Sequence, residues 1–177
     1  MQYFFIFLIL LSGSVFGQNN LYERHVSTAD GQALNMADFK GSKILVAAVS
    51  PQRLEKGRMV FLDSLQQAFP KVKMIVIPAQ DFDEEKQADR VVAALQSRSD
   101  KEAVLASAAW VKKTASGQHA LMQWLTNAEY NKHFNTEVNT DEQIYVISES
   151  GILYAKLEKG VPLKVIEEVL RQEDVKQ

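Results

Sequence analysis

Residues 43–49 read Lys-Ile-Leu-Val-Ala-Ala-Val and run into Ser50 and Pro51. The apolar stretch is continuous, with a charge at one end and a proline just past the other. That pattern predicts a strand covered on both faces, because a half-exposed strand would alternate. Residues 72–77 (VKMIVI) repeat it, and Pro78 ends it. Between the two, Phe61, Leu62, Leu65, Ala68 and Phe69 recur at helical spacing. The spacing predicts a helix over about residues 55–69, stopped by Pro70. Strand, helix and strand in this order form a right-handed βαβ unit with parallel strands.

Working outward from this unit, residues 22–28 alternate loosely and reach Asp30-Gly31, a hairpin turn signal, with a return strand at 32–34. Asn35 can cap a single turn, MADF, which Gly41 stops. On the other side, Asp83, Glu84 and Glu85 suit the first turn of a helix whose apolar face is Ala88, Val91, Val92 and Leu95. Residues 103–111 are mixed apolar and part strand. A short helix over 120–125 points Leu121, Trp124 and Leu125 inward, and residues 127–139 are polar and irregular. Residues 143–147 and 152–157 form a hairpin around Gly151, and Pro162 opens a last helix with the stripe Ile166, Val169 and Leu170. The expected class is α/β, a central mixed sheet with helices on both faces, forming a single domain over residues 18–177.

The chain has 177 residues, a net charge of −2 and no cysteine. The balanced charge leaves no basic stripe for phosphate backbones, so nucleic acid is not an expected partner. Without cysteine, disulfides and thiolate zinc sites are excluded. His25, His119 and His133 share no ligand spacing, so no metal is expected and the histidines read as structural or surface residues. No glycine-rich nucleotide loop is present, and no cofactor is expected. Trp110 and Trp124 read as core or edge packing. Residues 1–17 are uncharged, with an apolar run over 3–11 followed by small residues. This reads as a signal peptide cleaved after Gly17, placing the protein in a periplasm or outside the cell. The run is shorter than the ~20 residues that span a bilayer, so no stable membrane span is expected after cleavage.

Four segments resemble the glutathione peroxidase family of the thioredoxin-like fold. LYERHVSTADGQALNMADFKGSKILVAAV (21–49) resembles its opening hairpin, short turn and first buried strand. MIVIPAQDF (74–82) resembles its second core strand and following turn, and HALMQWLTN (119–127) its short helix. QIYVISESGILYAKLEKGVPL (143–163) resembles its closing hairpin and last helix. The resemblance implies hydroperoxide reduction in an oxidative-stress response, with glutathione or thioredoxin as reductant. A cysteine or selenocysteine would act as nucleophile, activated by a glutamine, a tryptophan and an asparagine.

Carried over position by position, the nucleophile falls on Arg53 or Leu54, the glutamine on Asp81, and the tryptophan and asparagine on Thr140 and Asp141. Each position has changed type. The thiolate is the reacting group in that chemistry, so the resemblance implies the fold without the activity. The leading expectation is an exported, non-catalytic binding or scaffold domain of unknown oligomeric state. Its partner would be a protein or a small cationic ligand. Two other functions stay open: a thiol-dependent peroxidase as the family implies, and a different enzyme using the carboxylates or Ser50. Asp81, Asp141 and the neighbouring Glu142 are expected to meet near Arg53. They would form either a solvent-exposed ion-pair group or a site for a small cation or basic peptide. Ser50 lacks a nucleophile-elbow context and a placed histidine base, so it reads as a turn serine.

Overall fold

The computed structural model describes residues 20–98 and 102–173. The signal-peptide reading of residues 1–17 lies outside them. Among the described residues, no helix is long and apolar enough to cross a membrane.

The first hairpin pairs β1 (His25–Ser27) with β2 (Ala33–Asn35) in antiparallel register. It is shorter than expected, because Leu21–Glu23 closes a 3-10 turn capped by Asn20 instead of extending the strand. Asn35 then caps the turn Met36–Phe39, its side chain accepting from the Ala37 N–H at 3.0 Å, as the sequence predicts.

The main sheet has five strands in the order β5-β4-β3-β6-β7. Its centre is β3 (Ile44–Val49), with all six residues buried, parallel to β4 (Lys73–Pro78) and antiparallel to β6 (Glu142–Ile147). β7 (Leu153–Glu158) pairs antiparallel with β6 at one edge. At the other edge, β5 has only two residues, Val104–Leu105, parallel to β4. The rest of the mixed apolar stretch 103–111 makes isolated bridges, Ala106 with Thr28 and Ala109 with Ala79.

Alternate residues of β3 face opposite layers, which explains its continuous apolar pattern. Ile44, Val46 and Ala48 pack with Leu121, Trp124 and Leu125 of α4 (Ala120–Thr126) and with the hairpin. Leu45, Ala47 and Val49 pack with Leu62 and Leu65 of α2 (Met59–Ala68), Val91 of α3 (Ala88–Gln96), and Ile166 and Leu170 of α6 (Leu163–Arg171). Helices therefore cover both faces of a mixed sheet. Trp124 is buried as expected, whereas Trp110 lies on the surface.

Two helix starts differ from the sequence reading. The first helix begins at Pro51 and not near residue 55. Ser50 caps a short α1 (Pro51–Arg53), and Pro51 takes the first helical turn, where a missing N–H costs nothing. The helix then breaks across Leu54–Arg58, where Gly57 has φ 102°, before α2 resumes. The acidic run 83–85 precedes α3 without entering it. Asp83 accepts the Gln87 and Ala88 N–H groups at 3.0 and 2.8 Å and so acts as the cap. In the irregular stretch after α4, the single turn α5 (Ala128–Asn131) ends at Lys132 in left-handed geometry.

Candidate functional site

The C-terminal end of β3 is where the resemblance places the reacting thiol. Ser50 follows the strand and is buried, and its N–H donates to the Asp141 carbonyl at 2.8 Å. That bond ties the start of α1 to the residue before β6. The Ser50 side chain accepts from the Arg53 N–H at 3.4 Å. Its hydroxyl is thus a helix cap inside the protein, as expected of a turn serine.

Arg53, in the first helical turn, turns its guanidinium onto Glu142, the first residue of β6. Its Nε and Nη2 reach one carboxylate oxygen at 3.0 and 2.7 Å. Arg58, just past the helix break, donates to the other oxygen. One carboxylate with 3% side-chain exposure therefore holds two arginines in charge-assisted hydrogen bonds. Arg58 also lies over the Phe61 ring, 4.0 Å from its centroid. Burial pushes the Arg58 guanidinium below its ordinary pKa; Glu142 opposes that shift and the neighbouring Arg53 adds to it. The Nε of Arg58 is buried without a hydrogen-bond partner among the described residues.

Asp141 sits at the rim of this group. It pairs with Lys159 at 2.9 Å and lies 3.9 Å from Arg53. Thr140 donates its hydroxyl to the Glu142 carbonyl at 2.6 Å, at the entry to the strand. Leu54 points into the core layer under α2.

Asp81 does not join the cluster. Its carboxylate accepts the N–H groups of Val111 and of Lys112, the latter at 3.2 Å. An acid carboxylate answers two backbone donors there, so the expected meeting with Arg53 is corrected. Asp141 and Glu142 do meet Arg53, but as a half-buried group centred on Glu142, not as an exposed one. Sequence reasoning missed Arg58 and Lys159. Arg58 lies five residues beyond Arg53, and the Gly57 break between them decides which way it faces.

A cavity of about 320 Å³ opens beside the cluster, lined by Arg53, Lys56, Gly57, Arg58 and Phe61. Among the described residues, no carboxylate or hydroxyl lines it. Arg53, Lys56, Arg58 and Lys159 lie near the carboxylates of Glu142, Asp141 and Glu55, the last of which is bonded to Arg90, so the cavity side carries positive charge. Among the described residues no group of histidines and carboxylates could hold a metal ion. His25 and His133 lie on the surface side of β1 and in a loop, and His119 caps α4 through Nδ1, 3.3 Å from the Leu121 N–H.

No family model matches this sequence, and no curated protein does. Solved structures do match. Trgpx in its apo form superposes with a TM-score of 0.60 at 11% identity, over 85% of this chain and 93% of that one. GPX1 of T. cruzi gives 0.59 at 16% identity, over 85% and 94%. DsbF of MTB gives 0.53 at 9% identity, over 85% and 94%. At such identities the likeness establishes the fold and leaves the chemistry to the residues. By fold this chain is thioredoxin-like and similar to glutathione peroxidases, and it carries no cysteine.

Proposed function

We propose that this protein is a non-catalytic binding module built on a glutathione peroxidase-like scaffold. One observation carries the reading. The chain turns from β3 into the first helix through Ser50, Pro51, Gln52, Arg53 and Leu54, and nowhere in its length is there a sulfur nucleophile. Peroxide reduction by a thiol needs a thiolate to attack the O–O bond and a second thiol to regenerate it. A guanidinium held by a buried carboxylate does neither.

The reading of another enzyme finds less support. Ser50 is buried and serves as a cap, Asp81 is bound to backbone amides, and Glu142 is neutralised by two arginines. The apolar run at 3–11 supports export, and a thioredoxin-like neighbour of fold, from Streptococcus pneumoniae, is described as an exposed lipoprotein. N-terminal sequencing of the protein recovered from its native cells tests that part. A chain beginning near Gln18 is expected, and an intact Met1 would refute it.

The decisive assay for the function is peroxide reduction by the purified protein with hydrogen peroxide or an organic hydroperoxide and either glutathione or thioredoxin. The expected rate equals that of the reductant alone. Protein-dependent turnover would overturn the proposal.

A further inference from the structure

We propose that the cavity at the helix break binds a doubly charged tetrahedral oxyanion, phosphate or a phosphate monoester, between Arg53, Lys56 and Arg58. The inference deepens the binding-module reading by naming the ligand class of the same region.

The first argument is charge. Among the described residues, five cations (Arg53, Lys56, Arg58, Arg90 and Lys159) meet three carboxylates, Glu142, Asp141 and Glu55, and Arg90 is bonded to Glu55. Glu142 is shared by two guanidiniums, and Asp141 is taken mainly by Lys159. The local excess is therefore about two positive charges, concentrated on the cavity side, and a dianion cancels it where a monoanion cancels only half. The same count disfavours a cationic ligand.

The second argument is unmet hydrogen bonding. The Arg58 Nε–H is buried and has no acceptor among the described residues. Buried donors are almost always paired, and an orphan beside a cavity marks where an acceptor belongs. Glu142 occupies only the Nη2 side of that guanidinium. A guanidinium with more donors than one carboxylate oxygen uses suits an oxyanion with several acceptor oxygens.

The third argument is shape. The helix breaks at Lys56 and Gly57, and Gly57 brings no side chain to the cavity. A Cβ at Gly57 would meet nothing within 4 Å, so the space is open. The Arg58 guanidinium lies over the Phe61 ring at 4.0 Å, and both side chains line the cavity. Lys56, exposed at the rim, can swing over a bound anion.

The test is titration of the purified protein with inorganic phosphate at pH 8 and constant ionic strength, followed by NMR of backbone amides and arginine Nε–H groups. A parallel titration uses phenyl phosphate, and acetate and chloride serve as monoanion controls. Saturable one-site binding with a Kd in the low-millimolar range or tighter is expected. The shifts should centre on Gly57 and the Arg58 Nε–H. Phosphate or phenyl phosphate should bind at least about tenfold more tightly than acetate. Tighter binding of phenyl phosphate identifies an esterified source, and equal or tighter binding of phosphate a free one. Shifts scattered over the surface, or acetate binding as well as phosphate, would overturn the proposal. Lys56→Gln removes an exposed charge and leaves the fold intact; it should weaken phosphate binding about threefold or more. Arg58→Gln should weaken it about tenfold. If Arg58→Gln does not fold, Lys56→Gln decides alone, and unchanged affinity in that variant refutes the site. Failure here would leave the absence of peroxide turnover untouched, and turnover would not remove binding.

Discussion

Replacing Glu142 by glutamine keeps its volume and removes the charge that two arginines share. In the folded protein the Glu142 side chain is 3% exposed, and those of Arg58 and Arg53 are 19% and 32% exposed. The variant leaves two like charges side by side around a neutral amide, one of them largely desolvated. Breaking a fully buried ion pair by removing one partner costs about 3–5 kcal/mol. Arg53 can still reach water, so the lower end applies, about 3 kcal/mol. For a domain of this size that corresponds to a fall in melting temperature of about 6–12 °C. Urea unfolding with an unchanged m-value measures it. The double variant Glu142→Gln, Arg58→Gln should recover about 1–2 kcal/mol relative to the sum of the single changes, because it removes the stranded charge. A Glu142→Gln cost below about 1 kcal/mol, or strict additivity in the cycle, would show that the cluster is a solvated surface pair.

Four further outcomes follow from the same structure. Asn131 is buried, donating to the Trp124, Leu125 and Phe134 carbonyls and accepting the His133 and Phe134 N–H groups. Asn131→Ala should therefore cost about 2–4 kcal/mol in urea unfolding, and a loss under 1 kcal/mol would contradict this network. Asp81→Ala strands two backbone donors and should cost about 1–3 kcal/mol. Faster hydrogen exchange at Val111 and Lys112 is the site-specific check. Gly57→Ala meets open space but must hold φ 102°, so about 1 kcal/mol of backbone strain is expected, with no loss of core packing in NMR spectra.

The pH prediction concerns His119. Burial lowers its pKa in the folded state, and its neutral Nδ1 accepts the Leu121 N–H. The unfolded chain then binds the proton more readily, so stability is full above the ordinary histidine pKa of about 6.5 and declines as pH falls below it toward the depressed folded value. His119→Asn keeps a capping oxygen and should flatten stability across that window. An unchanged pH slope in this variant would assign the dependence to other groups.

The layers of the fold were legible because their signals are local. An apolar run such as 44–49 can only lie between two covering layers, and the strand–helix–strand order leaves one handedness. Helix starts were less legible. Pro51 ends a strand and opens a helix equally well by type, and the acidic run 83–85 suits a first turn or the cap before it. Asp83 chose the latter because its two oxygens meet the Gln87 and Ala88 amides. The candidate site was legible only in part. Arg53, Asp141 and Glu142 come together as expected, while Asp81 answers a loop 30 residues away.

The sequence by itself determined what cannot happen at this site. A chain without cysteine has no thiolate, whatever its shape, because composition sets which functional groups exist. Tertiary structure alone decided what the remaining groups do. Glu142 lies 89 and 84 residues from Arg53 and Arg58, and nothing in their spacing assigns one carboxylate to two guanidiniums. That assignment arises because β6 pairs beside β3 and the helix breaks at Gly57, which brings two guanidiniums to a carboxylate too buried to remain unpaired.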